Sequence, residues 1–267
     1  MQYPLNASPK TPSPNRIWVN IATATSLLMI IGQIVAGRYG LLFGFLLALV
    51  LNFLIFLYPS IRLFQLFPNQ LLEGQDPNRI LSTVDDLSRK AGIPTPSVYI
   101  IEIPTPICYS VGLTQNSSAI FISEGMIDRL EPRDVKTALA FEVARIYRFD
   151  SLAGTVSASL AGALSVKPLR RVFAPVVALL VRIALRRKSF FGADQETARL
   201  LDQDPKALAQ LLWKLDSYTQ TLPIQVALPF AHLFIVTPLT GRVRDSYLSL
   251  QPAVKIRISR LTGHYPV

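Results

Sequence analysis

The stretch "LAFEVARIYRFD", residues 139–150, has the spacing of a helix whose inner face carries charged side chains. When the residues are projected at about 100° each, Glu142 lies at the centre of the apolar stripe and Arg145 at its edge. A charge among apolar side chains is costly unless it is paired or takes part in chemistry. The stretch therefore has two interpretations: a catalytic carboxylate on a buried helix, or a buried ion pair between residues three positions apart.

The apolar residues of the 267-residue chain are concentrated near its N-terminus. Arg16 and Arg38 enclose 21 uncharged residues, and Arg38 and Arg62 enclose 23 more. Each run is long enough to cross about 30 Å of hydrocarbon as a helix. We therefore predict a transmembrane hairpin over 16–62 that turns at "GRYG" and follows a disordered, proline-containing tail over 1–15. A signal peptide is the competing interpretation, but its apolar core is shorter.

The basic residues around these runs predict the orientation of the chain. Lys10 and Arg16 precede the first run and Arg62 follows the second, whereas Arg38 alone marks the turn. By the positive-inside rule, the N-terminus and the main domain lie in the cytoplasm. The single cysteine, Cys108, fits a reducing compartment.

The net charge of +10 has a local origin in the middle of the chain. Seven basic residues fall around two shorter apolar runs: Lys167, Arg170, Arg171, Arg182, Arg186, Arg187 and Lys188. We predict a membrane-associated insertion at 151–187, which either spans the bilayer or lies at its surface with its cations on anionic headgroups. Because neither a recognition helix nor stacking aromatic residues accompany the charge, we expect membrane lipids as partners and no nucleic acid.

The sequence pattern of the remaining chain, residues 63–267, predicts an α+β domain that is mostly helical and has a small sheet. Two β-branched segments, "SVYIIEI" and "SAIFIS", read as strands. Six helices are expected from apolar spacing and proline or glycine boundaries, the first of them capped by Asp76: 76–92, 123–130, from Pro132 onward, 190–201, 204–218 and 252–263.

The order of these segments resembles a known family. The residues that carry the resemblance are "LSRKAGIPTPSVYIIEIPTPICYSVGLTQNSSAIFISEGMIDRLEPRDVKTALAFEVARIYRFD", "FFGADQETARLLDQDPKALAQLLWKLDSY", "HLFIVTPLTG" and "LSLQPAVKIRISRL". They are similar to the HtpX-type zinc metallopeptidases, membrane-anchored gluzincins that include the CAAX prenyl endopeptidases. The resemblance covers nearly everything from residue 17 onward, and it implies a transmembrane hairpin followed by a zincin-like domain with zinc endopeptidase activity.

The motif that carries this activity departs from the family pattern. In HExxH, two imidazoles one turn apart hold zinc while the glutamate polarises the bound water. The matching positions here are Phe141, Glu142 and Arg145, and the third ligand, the glutamate of "ExxAD", falls at Phe190, four residues before Asp194. Only Glu142, a remnant of the family's general base, is kept, and the three ligand positions are degenerate.

The inventory of ligand side chains points the same way. The whole chain has two histidines, His232 and His264, and no HxxxH spacing. Catalytic zinc is held mainly by imidazole and thiolate groups supported by carboxylates. We therefore expect no metal and no cofactor in this chain, although typical members of the family use zinc.

Two further segments differ from the family pattern. The family's "NAFATG" segment, whose edge receives the substrate backbone, appears here as "ICYSVG". Its residues Ile107, Cys108, Tyr109 and Ser110 form a possible substrate-edge segment, because strand addition depends on backbone groups rather than side chains. Gln251 replaces the histidine of the family's "STHPP".

The remodelled site has an expected pairing. We expect the guanidinium of Arg145 to take roughly the space and charge of the missing zinc, with Glu142 as its near partner and Asp194 as its second. Phe141 and Phe190 would fill the remaining volume.

These observations favour a membrane-anchored pseudopeptidase that binds, scaffolds or regulates another membrane protein. One alternative is an active membrane metalloendopeptidase that takes part in membrane-protein quality control, as the family resemblance implies. A second alternative is a structural subunit of a larger membrane complex, since both apolar runs carry polar side chains able to bond to partner helices or within the hairpin.

Overall fold

The computed structural model describes residues 15–58, 66–74, 76, 78–163, 187–224, 226, 228–238 and 251–263. Three predictions fall wholly or partly outside these residues: the disordered tail over 1–14, the end of the hairpin at 59–62, and most of the basic insertion at 164–186.

The first element is a helical hairpin. Helix α1 (Asn15–Tyr58) is interrupted by non-helical backbone at Ala36 and Gly37, and Gly37 has a φ of 59°. The two arms run back along each other, since the side-chain amide of Asn52 donates to the hydroxyl oxygen of Thr25 over 3.2 Å. The two arms therefore share at least one polar side-chain contact within the hairpin.

Glycines bring the backbones of the two arms into contact. A Cβ atom added to Gly40 would overlap the carbonyl oxygen of Gly32, and one added to Gly32 would overlap that of Gly40. Further along the same interface, a Cβ on Gly44 would lie 2.6 Å from the carbonyl oxygen of Leu28. Such close approach is typical of helix pairs in lipid, where small residues let the backbones meet.

The outer surface of the hairpin is apolar. Among the described residues, one helical run, Ile21–Val50, is long and apolar enough to cross a membrane, and the bend at Gly37 lies within it. Ile34 and Val35 are 78% and 79% exposed. An apolar surface of this size is typical of a segment that contacts lipid or another protein.

The sheet has four short strands: β1 (Asn69–Leu71), β2 (Ser97–Ile101), β3 (Cys108–Val111) and β4 (Ala119–Ser123). Their order is β1-β2-β4-β3, with β2 and β4 parallel and the other pairs antiparallel. The strands β2 and β4 confirm the two predicted from sequence. The chain places β3 at one edge of the sheet, and this strand contains Cys108, Tyr109 and Ser110 of the predicted substrate-edge segment.

Seven helices follow the hairpin in the described chain, in addition to a 3-10 helix at Leu228–Leu233. They are α2 (Ile80–Ala91), α3 (Glu124–Arg129), α4 (Pro132–Tyr147), α5 (Asp150–Ala163), α6 (Arg187–Leu200), α7 (Pro205–Thr221) and α8 (Val254–Thr262). The predicted fold class, α+β and mostly helical with a small sheet, is confirmed.

The start of α2 differs from its prediction. The helix begins at Ile80, and Asp76 caps it from four residues upstream, accepting from the backbone N–H groups of Ile80 and Leu81 at 2.8 and 2.6 Å. Between them, Arg79 adopts a left-handed conformation with a φ of 53°. The capping residue was identified correctly, but a turn separates it from the helix.

Helix α4 is the centre of the domain. It packs against α2, α6 and α7 and against β3. It ends at Tyr147, and Phe149 has a φ of 59°, so the chain changes direction before α5 begins at Asp150. Helix α5 then packs against α1 and the 3-10 helix. The described part of the predicted insertion therefore lies against the hairpin.

The hairpin contact is testable by enlarging one glycine. In Gly40→Leu, the new side chain occupies the position of the Gly32 carbonyl group and forces the arms apart. We expect the free energy of unfolding to fall by roughly 1–3 kcal/mol, the usual cost of overpacking, measured by thermal unfolding in detergent micelles. Leu42→Ala, at a position 57% exposed, is the control and should have little effect. An unchanged melting temperature in Gly40→Leu would contradict the contact.

Candidate functional site

The site is built around the buried face of α4. Pro132 occupies the first turn, where its missing N–H group is not needed. The apolar spacing downstream then turns Glu142 and Arg145 into the protein, where Glu142 is 0% and Arg145 3% exposed. Both charges are thus inside the domain, as the sequence pattern indicated for Glu142.

The carboxylate of Glu142 is bound by the protein itself. The Ser110 hydroxyl group on β3 donates to Oε2 over 2.6 Å. Arg145 Nη1 lies 3.2 Å from Oε2 and 3.4 Å from Oε1, and it also donates to the carbonyl oxygen of Leu233. The pair of Glu142 with Arg145 is therefore one part of a buried network that joins α4, β3 and the 3-10 helix.

Burial controls the protonation of this network. Burial raises the pKa of Glu142, and the Arg145 charge and the Ser110 hydrogen bond offset only part of that rise. Burial also raises the pKa of the nearby Cys108 thiol, and the Glu142 charge raises it further. A thiol kept protonated is a poor nucleophile and a poor metal ligand. Cys108 therefore adds no reactive group to the site.

Asp194 has a partner other than the one expected. Arg257 binds its carboxylate through two hydrogen bonds, Nη2 to Oδ1 at 2.6 Å and Nε to Oδ2 at 3.1 Å. Arg257 is 1% exposed and Asp194 3%. The expected pairing of Asp194 with Arg145 is therefore corrected, because a second buried arginine offers this carboxylate a two-bond geometry.

The two phenyl rings lie beside the guanidinium group of Arg257. The Arg257 Cζ atom lies 5.0 Å from the centroid of the Phe141 ring and 5.6 Å from that of Phe190. Both distances are in the range of a cation–π contact. Two of the three degenerate ligand positions thus share one guanidinium as a neighbour. We call Glu142, Arg145, Asp194 and Arg257 the double-arginine core.

Arg257 was missed by the reasoning from sequence, although a signal was present. Within α8, Val254, Arg257, Ile258 and Leu261 follow one another at helical spacing. Arg257 therefore falls on the apolar stripe, as Glu142 does on α4. Applying the same projection to the last helix would have identified it as a buried charge in need of a partner.

The predicted edge segment is buried and partly paired on both sides. On one side β3 pairs with β4, and the Tyr109 ring stacks on that of Phe121 with centroids 4.9 Å apart. On the other side Tyr109 forms an isolated antiparallel bridge with Phe234. Ile107, just before the strand, exchanges hydrogen bonds with Ser123. The backbone of this edge is therefore in contact with the chain's own residues.

The residues at the three family ligand positions do not fit a zinc ion. The phenyl rings of Phe141 and Phe190 have no lone pair to donate, and the guanidinium of Arg145 carries hydrogen-bond donors but no acceptor. Within the part of the chain that the structure describes, no group of three or more histidine, cysteine, aspartate or glutamate side chains is placed to hold a metal ion.

Breaking the pair on α4 tests the network. Arg145→Gln leaves the carboxylate of Glu142 buried without its cation, and we expect a loss of about 3–5 kcal/mol in the free energy of unfolding. The double variant Glu142→Gln/Arg145→Gln removes both charges and should recover part of that loss. Chemical denaturation in detergent measures both.

Arg89→Gln is the matched control, since Arg89 pairs with Asp85 and Asp86 on the exposed face of α2. Its effect should be below about 1 kcal/mol, as for other surface pairs. Equal losses in Arg145→Gln and Arg89→Gln would contradict a buried network.

The raised pKa of Glu142 predicts a pH dependence of stability. The folded state favours the protonated carboxyl, so this contribution is fully present below the unfolded pKa of about 4.3 and is lost as pH rises through the higher folded pKa. Denaturation between about pH 4 and pH 8 should show native stability falling relative to that of Glu142→Gln, which cannot titrate at this position. Parallel curves would show that the pKa is not raised.

Comparison with known proteins identifies relatives over nearly the whole chain. No family model matches the chain. A protein named Protease HtpX homolog from Syntrophobacter fumaroxidans is 30% identical over 275 residues, covering 92% of this chain and 97% of the relative. Protease HtpX from Legionella pneumophila is 29% identical over 278 residues, covering 94% and 98%. The homolog from Desulfatibacillum aliphaticivorans is 28% identical over 273 residues, covering 92% and 88%.

A solved structure supports the fold. The crystal structure of S. mikatae Ste24p aligns with 92% of this chain at a TM-score of 0.50 and 13% sequence identity. The chain spans 63% of the length of that protein. At this identity the likeness concerns the fold alone.

The comparisons overturn one expectation from the sequence. The relatives are named HtpX proteases and the fold neighbour is Ste24p, and proteins of this type use zinc, so the expectation of no cofactor is wrong. Phe141, Arg145 and Phe190 do not fit a zinc ion, so the comparisons do not show which residues of this chain would hold it.

The family and the apolar N-terminal helix together support association with a membrane. The chain belongs to the HtpX protease family.

Proposed function

We propose that this chain is a membrane-anchored pseudopeptidase of the HtpX family that binds, scaffolds or regulates other membrane proteins. The observation that carries the proposal is the state of Glu142. Both of its carboxylate oxygens are engaged, by Ser110 and Arg145, in a site that is fully buried. A general base must reach the water that it activates, and here Ser110 and Arg145 already bind the carboxylate oxygens.

The predicted placement in the membrane agrees with this role. The hairpin anchors the chain, and the positive-inside rule supports a cytoplasmic N-terminus and a cytoplasmic main domain. Anionic lipid headgroups would contact the basic insertion. The partner that we propose is a second integral membrane protein, because the exposed apolar surface of the hairpin lies where another membrane helix would meet it.

One observation favours the alternative, an active membrane endopeptidase. Burial raises the pKa of Glu142, and carboxylates that act as general bases in enzymes often have a raised pKa. The relatives are also named proteases. This alternative requires the carboxylate to be released from Arg145 and to meet an activated water molecule.

A cleavage assay separates the two. The native chain and Glu142→Gln are reconstituted into liposomes with zinc and a misfolded membrane protein as substrate, and the Syntrophobacter fumaroxidans homolog serves as the positive control. We expect cleavage by the homolog alone. Cleavage by the native chain that is lost in Glu142→Gln would contradict the proposal and establish the alternative.

A gain-of-ligand variant tests the assignment of the site. In Phe141→His/Arg145→His/Phe190→Glu, two imidazoles and one carboxylate take the three degenerate positions, a combination typical of catalytic zinc. We expect this variant to bind more zinc per chain than the native protein, measured by elemental analysis after dialysis. The matched variant Phe141→Asn/Arg145→Asn/Phe190→Gln, which is polar but lacks these ligands, should not. Equal zinc in both variants would contradict the assignment.

A further inference from the structure

The edge of β3 that faces away from β4 is covered by a segment of the same chain, Ala231–Val236, which we call the covering segment. Phe234 forms an antiparallel bridge to Tyr109, and their rings meet edge to face with centroids 5.2 Å apart. Every residue of the covering segment is buried, from 0% exposure at Leu233 to 7% at Ala231. An uncovered edge strand offers its unpaired backbone groups to an extended peptide. Here the chain itself takes that place.

Gln251 binds two backbone carbonyl groups of the covering segment. The side-chain amide of Gln251 donates to the carbonyl oxygen of Phe234 over 2.8 Å and to that of Ala231 over 3.2 Å. One planar amide thus holds carbonyl groups that are three residues apart. Gln251 lies just before α8 and is itself 7% exposed. These bonds fix the conformation of the covering segment from outside the sheet.

The double-arginine core binds two further carbonyl groups of the covering segment. Arg145 donates to the carbonyl oxygen of Leu233, and Arg257 donates to that of Ile235 through Nη1 over 2.6 Å. Hydrogen bonds from a charged donor are stronger than neutral ones. Both arginines also hold a carboxylate, so releasing the covering segment would leave each guanidinium short of one buried acceptor.

We propose that the covering segment closes the outer edge of β3 to extended peptides in cis, and that Gln251, Arg145 and Arg257 latch it there. An extended peptide then binds to β3 only when the covering segment is released. This inference goes beyond the proposed function, because it concerns access to the edge strand and holds whether or not the chain cleaves peptides.

Amide hydrogen exchange of the full chain in detergent tests the latch. Gln251→Met keeps the length of the side chain but removes its donors. We expect exchange in 231–236 and 108–111 to accelerate about tenfold or more, the scale set by losing neutral hydrogen bonds, while β2 keeps its native rate. Gln220→Met is the matched control, since Gln220 is exposed on α7 and bonds only over 3.4 Å to Asp216; it should change neither segment.

A peptide probe tests the edge directly. A fluorescent peptide with the sequence Lys-Lys-Ala-His-Leu-Phe-Ile-Val copies the covering segment, and we expect it to bind Gln251→Met at least tenfold more tightly than the native chain. Equal affinity for both would overturn the proposal.

The native chain decides the matter even where the variant does not fold. Exchange of 231–236 in the native protein at the rate of an unstructured peptide would overturn the inference, and strong protection would support it. Cleavage activity together with a protected covering segment would refute the proposed function alone. An inactive chain with rapid exchange in this segment would refute the latch alone.

Discussion

Two buried guanidinium groups are the constraint on which the rest of the domain depends. A cation removed from water is costly unless carboxylates and carbonyl groups replace its hydration. Arg145 meets this requirement with Glu142 and a backbone carbonyl, and Arg257 meets it with Asp194 and another. Each arginine therefore joins separate elements of the domain. Arg145 links α4 to the 3-10 helix, and Arg257 links α8 to α6 and to Ile235.

Buried ion pairs contribute more to the choice of one structure than to stability itself. Replacing such a pair by apolar side chains is often neutral, whereas removing one partner is strongly destabilising. Asp194 and Arg257 lie 63 positions apart in sequence, and their two hydrogen bonds fix the register of α8 against α6. Because both phenyl rings face the same guanidinium, the packing in this region has little freedom to rearrange.

Local patterns predicted the elements but not their partners. The spacing around Glu142 indicated a buried helix, and β-branched runs indicated β2 and β4. The strands β1 and β3 have three and four residues, too few for an alternation to be read. Which acid pairs with which arginine depends on tertiary packing, so Asp194 was assigned to the wrong cation. The count of histidines describes the metal-ligand positions of this chain, but it does not show which cofactor the family uses.

The glycine contact within the hairpin limits how another protein approaches. Since the backbones at Gly32 and Gly40 already touch, no third helix fits between the two arms. The arms therefore behave as one body with a single continuous outer surface, part of which α5 already covers. Within the described residues, the rest of this surface carries large exposed side chains such as Phe43 and Phe53, so a helix that docked there would meet side chains and not a glycine groove. Recognition on that side depends on the shapes of side chains rather than on backbone contact.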